Sequence, residues 1–385
     1  MNLCKVLILD GNSIQSLPFI ESYNKLDCEV TIICPWKFSI GWFSRYAHKK
    51  IIFCNIHEKY NEYSSLFIDH IKNNDYDLVL SLSDITMKLV AENYDIISQY
   101  SKVIIPKGDS YKKASDKLLT MKHCMSENIS CPITINPDEE NILSTYKYPE
   151  DFPLILKPRQ GVGARGIVKV NNIEEFNKLY KKHKIRFGSL LLQERVHSFK
   201  IQYQALAYCN SKSKMIACVV VAKTRYYPID GGTGTCSMTV KEPKIQSIAK
   251  NLLEGLGWIG AADIDILFDL KNNKYKIIEI NPRVPSNIKI AFKAGIDFAQ
   301  LYLSEIENIA IKPNYKYLRG IVLRNLLTEM LWLLKSNSKM RKETYPAFFK
   351  FFGKKIFYTD FSLKDPLPFL GFLYGKFIKK FEPLF

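Results

Sequence analysis

The stretch Lys274-Tyr-Lys-Ile-Ile-Glu279-Ile-Asn281-Pro282-Arg283 alternates polar and isoleucine residues up to a proline. Alternation with a period of two is typical of a β-strand, and it places Glu279 and Asn281 on one face and the neighbouring isoleucines on the other. The isoleucines would face a core. The sequence therefore predicts a strand that carries a carboxylate and an amide side by side just before the chain turns.

A second strand of the same kind precedes it. The stretch is Gly257-Trp-Ile-Gly260-Ala-Ala-Asp263-Ile-Asp265-Ile-Leu-Phe, and Asn272-Asn273 predicts the turn between the two strands. Asp263 and Asp265 would share one face. Three or four carboxylate and amide oxygens on adjacent strands suit Mg²⁺. A solvated acidic strand is the alternative, but carboxylates set among isoleucines on two consecutive strands favour a metal site.

A glycine-rich hairpin is predicted further upstream. The stretch is Pro153-Leu-Ile-Leu-Lys157-Pro158-Arg-Gln-Gly161-Val-Gly163-Ala-Arg-Gly166-Ile-Val. Glycines let the backbone approach polyanionic oxygens closely, and a lysine beside them neutralises phosphate charge. A simple turn is the alternative for the glycines alone. The order of strand, lysine, glycines and strand favours phosphate binding, and it differs from the P-loop because the lysine precedes the glycines.

The chain divides into two regions by pattern. In the first hundred residues, apolar β-branched runs alternate with helical patterns, which predicts βαβ units and a parallel sheet. From about residue 110 the pattern changes to α+β. Strands are predicted in the first region at 6–9, 30–34 and 77–81, and in the second at 153–157, 166–170, 189–193, 201–209, 215–224, 262–268 and 275–280, with helices after Ser115 and over 173–183 and a polar loop over 136–151.

Composition favours a folded cytoplasmic protein of two or three domains. The chain has 385 residues, of which 47% are hydrophobic and 24% charged. Its nine cysteines form no CxxC pair and no metal-ligand spacing with histidine, which favours reduced thiols. The apolar run after Lys5 is too short for a signal-peptide core, and no run approaches the ~20 residues of a membrane span. The six histidines are scattered, and no nucleophile–histidine arrangement competes with the metal site.

These motifs, in this order, resemble the ATP-grasp superfamily over about residues 1–310. The resemblance is carried by Asp116-Lys117, Leu156-Lys157-Pro158 with its glycine loop, Leu192-Gln193-Glu194 and Glu279-Ile-Asn-Pro-Arg283. Within the superfamily the pattern is similar to the carbamoyl-phosphate-synthase-like and D-aspartate-ligase-like branch, which Lys223-Thr-Arg225-Tyr-Tyr-Pro228-Ile-Asp-Gly231-Gly232-Thr-Gly234 supports.

The resemblance implies a mixed α/β and α+β fold with three parts. A Rossmann-like pre-ATP-grasp domain would span 1–108. A two-lobed ATP-grasp domain would span 109–310, with its small lobe at about 109–193 and its large lobe at about 194–310. The remaining residues, 311–385, would form a basic, aromatic C-terminal extension.

The resemblance also implies a role for each motif residue. Lys117 and Lys157 would hold the ATP phosphates, and the loop with Gly161, Gly163 and Gly166 would close over them. Gln193 and Glu194 would meet the adenine, largely through backbone groups. Asp265, Glu279 and Asn281 would bind Mg²⁺, or Mn²⁺ in its place, and Arg283 and Arg225 would stabilise charge on the transferred phosphoryl group. The segment after Glu194 lacks the acidic residues that often contact the ribose, so the ribose partner stays unassigned.

The implied activity is that of an ATP-dependent carboxylate–amine ligase. Small-molecule carboxylate and amine substrates would pass through an acyl phosphate to an amide, and a cell-envelope or glycan precursor is one candidate acceptor. Two alternatives stay open at this point: bicarbonate chemistry of the carbamoyl-phosphate or carboxyphosphate type, and a non-catalytic Mg·ATP-binding module. A homodimer also stays open.

The C-terminal region is the most basic part of the chain. Residues 312–385 hold 15 basic and 5 acidic residues, which is +10 of the total net charge of +17. Over 346–385 aromatic residues are interleaved with lysines, a composition of segments that lie on anionic membranes. Packing on the protein or on a second subunit is the alternative, and nucleic acid is the least favoured partner. The predicted location is therefore the cytoplasm, with peripheral contact at the inner face of the membrane.

Overall fold

The computed structural model describes residues 3–106, 108–146, 148–161, 165–199, 201–229 and 232–381. The strands are β1 (Lys5–Ile8), β2 (Glu29–Cys34), β3 (Lys49–Ile52), β4 (Leu78–Leu80), β5 (Thr134–Ile135), β6 (Leu154–Pro158), β7 (Val168–Val170), β8 (Leu190–Glu194), β9 (Gln202–Cys209), β10 (Met215–Tyr227), β11 (Thr233–Thr239), β12 (Gly260–Asp269), β13 (Lys274–Asn281), β14 (Val322–Arg324) and β15 (Ile356–Tyr358).

The helices connect these strands. They are α1 (Ser16–Lys25), α2 (Tyr60–Lys72), α3 (Asp84–Glu92), α4 (Tyr94–Ile97), α5 (Asp109–Ser115), α6 (Lys117–Ser126), α7 (Ile142–Thr145), α8 (Ile173–Phe187), α9 (Pro243–Gly255), α10 (Lys289–Lys293), α11 (Phe298–Ile306), α12 (Leu326–Lys335), α13 (Ser338–Glu343) and α14 (Leu367–Phe381), with 3-10 turns at Ile40–Phe43 and Pro149–Asp151. Among the described helices, none combines the length and the apolar character that a bilayer crossing requires.

The N-terminal sheet is parallel, as the sequence predicts. Its strand order is β3-β2-β1-β4, and β1 pairs in parallel with both β2 and β4. Strands β1, β2 and β4 are buried on both faces, which explains why they are largely continuous apolar runs, whereas the edge strand β3 is partly exposed. The carboxyl end of β4 leads directly into α3, so the first residues of that helix lie at the edge of the sheet where ligands of such folds usually bind.

A second, antiparallel sheet carries the glycine-rich hairpin. Its order is β5-β8-β6-β7, and β6 pairs with β7 on one side and β8 on the other. Leu154, Leu156, Leu190 and Leu192 are fully buried in its core, where they pack against Phe176 of α8. Because β6 and β7 are antiparallel neighbours, the end of β6 at Pro158 and the start of β7 at Val168 lie at the same end of the sheet.

The third sheet is the largest and is covered on both faces. Its order is β13-β12-β9-β10-β11-β14-β15. Alternate residues of β9 belong to different cores: Ala205 and Ala207 pack on the side of α9, whereas Leu206 and Tyr208 pack on the side of α11 and the N-terminal sheet. The N-terminal region is therefore anchored on the large sheet. Phe19 of α1 has edge contacts with Phe292 of α10 and Tyr302 of α11.

The C-terminal extension is part of this architecture. Its strand β14 pairs with β11, and β15 pairs in parallel with β14, so the large sheet continues beyond residue 311. Helix α14 lies against the 3-10 turn Ile40–Phe43, where a Cβ added at Gly371 would come within 2.1 Å of the Phe43 ring. The close approach requires glycine. The division at residues 108 and 310 stays a prediction, as does the assignment of the parts as domains.

Candidate functional site

A cleft of about 290 Å³ lies between the glycine-rich hairpin and the large sheet. Most of the residues that line it are polar or charged. They come from the β5-β8-β6-β7 sheet and its hairpin, from the large sheet, from the start of α6 and from the segment after β13. They include Lys117, Lys157, Gly161, Arg165, Gln204, Lys223, Asp263, Asp265, Glu279, Asn281 and Arg283. The cleft therefore collects most of the residues that the sequence singles out.

The three predicted metal ligands lie together on one wall. Strands β12 and β13 are antiparallel neighbours, and Asp265 is directly opposite Glu279, while Asp263 is directly opposite Asn281. The Asn281 Nδ2 atom is 3.3 Å from Asp265 Oδ2. This arrangement follows from the alternating pattern, because the isoleucines between these residues fill the core behind the sheet.

Two lysines neutralise this wall. Lys117 Nζ lies 3.2 Å from Glu279 Oε2, and Lys223 Nζ lies 3.0 Å from Asp265 Oδ1. No group of three histidine, cysteine, aspartate or glutamate side chains with metal-site geometry occurs among the residues that the structure describes. The donor set here is instead two carboxylates and an amide, which leaves room for phosphate oxygens and water and so fits Mg²⁺ rather than a softer metal.

Lys157 faces this wall from the end of β6. Its side chain is buried, and the burial, together with the nearby Lys117 ammonium, lowers its pKa to about 8 despite the opposing attraction of Glu279. A buried ammonium group is costly unless an anion accompanies it. A polyphosphate in the cleft would supply that anion.

The glycines of the hairpin have different reasons to be glycine. Gly161 has φ of +133°, lines the cleft and accepts a hydrogen bond of 2.9 Å from Lys117 Nζ through its carbonyl oxygen. Gly166 has φ of +77°, and a Cβ there would lie 2.9 Å from Pro158 Cγ. Gly163, the third predicted loop residue, lies outside the described residues.

Arg283 reaches both the acidic wall and the N-terminal region. Its Nε donates to Asp84 Oδ2 at 2.8 Å, and its Nη1 is 3.8 Å from Asp263 Oδ2. Asp84 is the first residue of α3, at the carboxyl edge of the parallel sheet. The N-terminal region therefore forms part of the border of the cleft.

The structure places Arg225 away from the cleft. Its guanidinium is buried in an ion pair with Glu329 of α12, with Nε to Oε1 at 2.5 Å and Nη2 to Oε2 at 2.9 Å. The cause is a β-bulge in β10, because Lys223 pairs with Ser237 and Arg225 with the adjacent Cys236, which leaves Thr224 as an extra residue. Two residues that would share a face of a regular strand therefore point to opposite sides, and Lys223 takes the cleft position.

Gln193 and Glu194 lie at the end of β8, where the second sheet meets the large sheet. The Gln193 amide donates to Thr134 Oγ1 at 2.7 Å, and the Glu194 carboxylate accepts from Lys276 Nζ at 2.9 Å. Both side chains thus have partners within the protein, and neither is among the residues that line the cleft as described. Their predicted contact with adenine through backbone groups stays a prediction.

Lys223, Gln204 and Asp84 contribute to the site without having been predicted from the sequence. The Gln204 amide donates to Asp263 Oδ1 at 2.9 Å, which orients that carboxylate next to the predicted metal ligands Asp265 and Asn281. Burial, and next the adjacent Asp265 charge, raise the pKa of Asp263 to about 7. Lys223 carried a usable signal, since it lies in the basic segment already singled out, whereas Gln204 and Asp84 carried none.

Comparison with known proteins agrees with this geometry. Residues 114–286 match a family model described as an ATP-grasp domain. The arginine-specific large chain of carbamoyl phosphate synthase from Geobacillus stearothermophilus is 28% identical over 185 residues, which are 43% of this chain and 17% of the relative. D-alanine–D-alanine ligase from Carboxydothermus hydrogenoformans is 28% identical over 185 residues, which are 44% of this chain and 58% of the relative. In both cases the match spans less than two thirds of the relative's length.

Solved structures extend the likeness beyond the matched domain. The biotin carboxylase domain of Hydrogenobacter thermophilus 2-oxoglutarate carboxylase, solved with Mg-ADP, ADP and bicarbonate, aligns with a TM-score of 0.66 at 14% identity. The alignment covers 84% of this chain and 74% of that one. The predicted fold class is thereby confirmed. The resemblance to the ATP-grasp superfamily is confirmed over residues 114–286, which match the ATP-grasp model.

Proposed function

We propose that this chain, whose residues 114–286 are an ATP-grasp domain, is an ADP-forming ligase that uses ATP and Mg²⁺ to join a carboxylate to an amine. One observation carries the proposal. Two carboxylates and an amide on the paired strands β12 and β13 face Lys117 and Lys157 across one cleft. Such an arrangement holds cations and phosphate oxygens in the same small space, which is what phosphoryl transfer needs.

The residues divide the work by position. Lys157 and Lys117 would bind phosphate oxygens of ATP, and Gly161 would bring the hairpin backbone close to them. Asp265, Glu279 and Asn281 would hold Mg²⁺, which when bound neutralises phosphate charge. Lys223 lies beside Asp265 on the acidic wall, and Arg283 borders it from the side of the N-terminal region. Both are placed to offset negative charge that develops on the transferred group.

The proposed reaction has two steps. A carboxylate oxygen of the substrate attacks the γ-phosphorus, the bond from that phosphorus to the bridging oxygen breaks, and ADP leaves. The amine nitrogen then attacks the acyl carbon, the bond from that carbon to the phosphate oxygen breaks, and the nitrogen loses a proton as inorganic phosphate leaves. The protein's part is to bring the carboxylate, the triphosphate and the amine together and to exclude water from the acyl phosphate.

A second candidate is bicarbonate chemistry. Two similar proteins support it. One is named as a carbamoyl phosphate synthase, and the other is a biotin carboxylase domain whose structure contains bicarbonate. The cleft geometry around Lys157 and Glu279 serves either acyl source, since the same phosphoryl group is transferred. The amide-forming reading is supported by the D-alanine–D-alanine ligase relative, of which a larger share is matched.

The proposed acceptor is a precursor of a cell-envelope glycan that is reached at the inner face of the membrane. The support for this location is the net charge of +10 over residues 312–385 together with the exposed aromatic side chains of that region. The chain itself would then be cytoplasmic with peripheral membrane contact. A homodimer, like that of the biotin carboxylase domain of similar fold, is a further proposal.

The test is phosphate release from Mg·ATP in a grid of paired carboxylates and amines, with bicarbonate as one of the acids. We expect release that depends on both members of one pair, together with an amide product seen by mass spectrometry. Glu279→Gln provides the inactive reference. Glu62→Gln provides the matched control, because Glu62 lies on α2 in an exposed ion pair with Lys59. Release that depends on bicarbonate alone would replace the first candidate by the second. Tight Mg·ATP binding without release in any mixture would leave a non-catalytic module.

A further inference from the structure

Six large apolar side chains of the C-terminal extension are exposed on two adjacent elements. We call them the apolar patch: Met330, Leu331 and Leu334 on α12, and Tyr345, Phe349 and Phe352 in the segment between α13 and β15. Phe352 is 87% exposed, and Leu334 and Phe349 are each 74% exposed. Single exposed hydrophobic residues are ordinary on protein surfaces, but a group of this size marks an interaction site.

The two elements share one core and turn their other sides outward. Glu329 and Trp332 form the buried side of α12, and Trp332 stacks on Phe348 with ring centroids 5.9 Å apart. Phe348 in turn has an edge contact with the exposed Phe349 at 5.2 Å. The exposed residues of α12 and the exposed phenylalanines therefore belong to two elements that pack on each other through Trp332 and Phe348.

Buried arginines hold the aromatic segment in place. Arg324 donates to the backbone oxygens of Phe348 and Lys350, each at 2.8 Å, and Arg225 donates to that of Pro346 at 2.7 Å. The exposed rings thus belong to a segment whose backbone is held by hydrogen bonds from the two buried arginines. Ordering the segment before binding removes part of the entropy that association would otherwise cost.

Basic side chains surround the apolar patch. Over 330–355 the exposed basic residues are Lys335, Lys339, Arg341, Lys342, Lys350, Lys354 and Lys355, and the one acidic residue in that range is Glu343. Six net positive charges exclude a basic partner and favour an anionic one. Phenylalanine and leucine surrounded by lysine suit the surface of an anionic bilayer. The apolar side chains can enter the boundary of the acyl region, while the ammonium groups contact the headgroup phosphates.

We propose that the apolar patch is the surface by which this chain docks on an anionic phospholipid membrane. The patch is also connected to the cleft. Glu329, on the inner side of α12, accepts from Arg225 of β10 and from Thr235 of β11, and Thr233 and Gly234 of β11 line the cleft. A membrane-borne acceptor would therefore meet the cleft from its β11 side. This last statement rests on the proposed function, whereas the docking itself does not.

The test is co-sedimentation of the full chain with vesicles of phosphatidylcholine containing phosphatidylglycerol, and with vesicles of phosphatidylcholine alone. We expect binding to the anionic vesicles that weakens as salt increases. The variant Phe349→Ala/Phe352→Ala should lower the affinity at least tenfold, and Lys350→Glu/Lys354→Glu should do the same without removing any ring. Ile185→Ala/Phe199→Ala removes two exposed apolar side chains elsewhere and is the matched control, expected to bind like the unchanged chain.

Several outcomes would overturn the docking proposal. They are equal binding to neutral and anionic vesicles, no binding to either, or unchanged binding by both patch variants at an unchanged melting temperature. Light scattering that shows a dimer which the phenylalanine variant converts to a monomer, without vesicle binding, would assign the patch to a second copy of the chain. Phosphate release measured without vesicles is unaffected by any of these results, so failure of docking and failure of the ligase proposal are distinguished.

Discussion

Two clusters of charged side chains lie on opposite sides of strand β10, and they are built differently. The cleft cluster contains Lys117 and Lys223 against Asp265 and Glu279, with side chains that are between 8% and 25% exposed. The closed cluster contains Arg225 and Arg324 around the single carboxylate of Glu329, with side chains at most 2% exposed. Lys223 and Arg225 are two residues apart in the sequence, yet each belongs to a different cluster.

The difference lies in how completely the charged groups of each cluster are hydrogen-bonded within the protein. In the closed cluster the guanidinium groups donate to Glu329 and also to backbone oxygens of the 346–350 segment, so their hydrogen-bonding capacity is used within the protein. In the cleft cluster several cations and several carboxylates face a cavity, and buried Lys157 stands beside another lysine. Charges that are buried and fully bonded hold a structure together, whereas charges that face a cavity, among them Lys157 with its lowered pKa, are typical of a binding site.

The largest expected effect comes from opening the closed cluster. Glu329→Ala leaves two buried guanidinium groups without their counter-charge, and we expect it to lower the free energy of unfolding by about 3–5 kcal/mol. Urea unfolding followed by circular dichroism measures this. The control is Glu343→Ala on α13, whose partner Lys339 is exposed, with an expected change within about 0.5 kcal/mol. A loss below about 1 kcal/mol for Glu329→Ala would mean that the cluster is not what holds α12 in place.

The next effect comes from the cleft cluster, and it should fall on turnover instead. Glu279→Gln keeps the shape of the side chain but removes a charge that would hold Mg²⁺, so we expect turnover to fall about 10²–10³-fold. The free energy of unfolding should change by less than about 1 kcal/mol, because the Glu279 side chain is partly exposed at the cleft. Steady-state phosphate release and urea unfolding on the same preparation separate the two quantities. A stability loss equal to that of Glu329→Ala would erase the distinction between the clusters.

The sequence predicts the cleft cluster well because its signal is local. Alternation along β12 and β13 is enough to place Asp265, Glu279 and Asn281 on one face, and antiparallel pairing of neighbouring strands then brings them together. The parallel N-terminal sheet was predictable for the same reason, since each of its longer strands is a continuous apolar run. Neither inference needs to know what lies far away in the chain.

What the sequence does not predict depends on tertiary partners. The bulge at Thr224 exchanges the sides of Lys223 and Arg225, and nothing in the local pattern announces it. Arg283 finds its ion-pair partner, Asp84, 199 residues earlier. The short strands β14 and β15 form because β11 offers a free edge, and their own pattern is too brief to identify them. The proposed separation of a C-terminal extension at residue 311 likewise takes no account of the shared sheet.

Arg225→Lys tests whether Arg225 contributes to stability, as its position in the closed cluster indicates, or to turnover. A lysine keeps one charge but loses the planar fork that bonds Glu329 and Pro346 at once, so we expect a stability loss of about 1–3 kcal/mol. Turnover per folded molecule should stay within about twofold. The paired variant, Lys223→Met, should show the reverse, with turnover reduced more than stability. A turnover loss for Arg225→Lys as large as that of Glu279→Gln, at unchanged stability, would restore the catalytic role that the sequence predicted for Arg225.

The effect that should grow most gradually is a pH dependence at the cleft, which the closed cluster should not show. Burial lowers the pKa of Lys157 to about 8, so in the ligand-free protein this side chain loses its proton as the pH rises past that value. Since a triphosphate binds the charged form, binding above pH 8 must include proton uptake, and the Kd for Mg·ATP should rise about tenfold per pH unit between pH 8 and 10. Titration calorimetry in two buffers of different ionisation enthalpy measures both the affinity and the proton. Lys157→Arg keeps its charge over this range, so its Kd should stay nearly flat, and an equal slope in both proteins would assign the titration to another group.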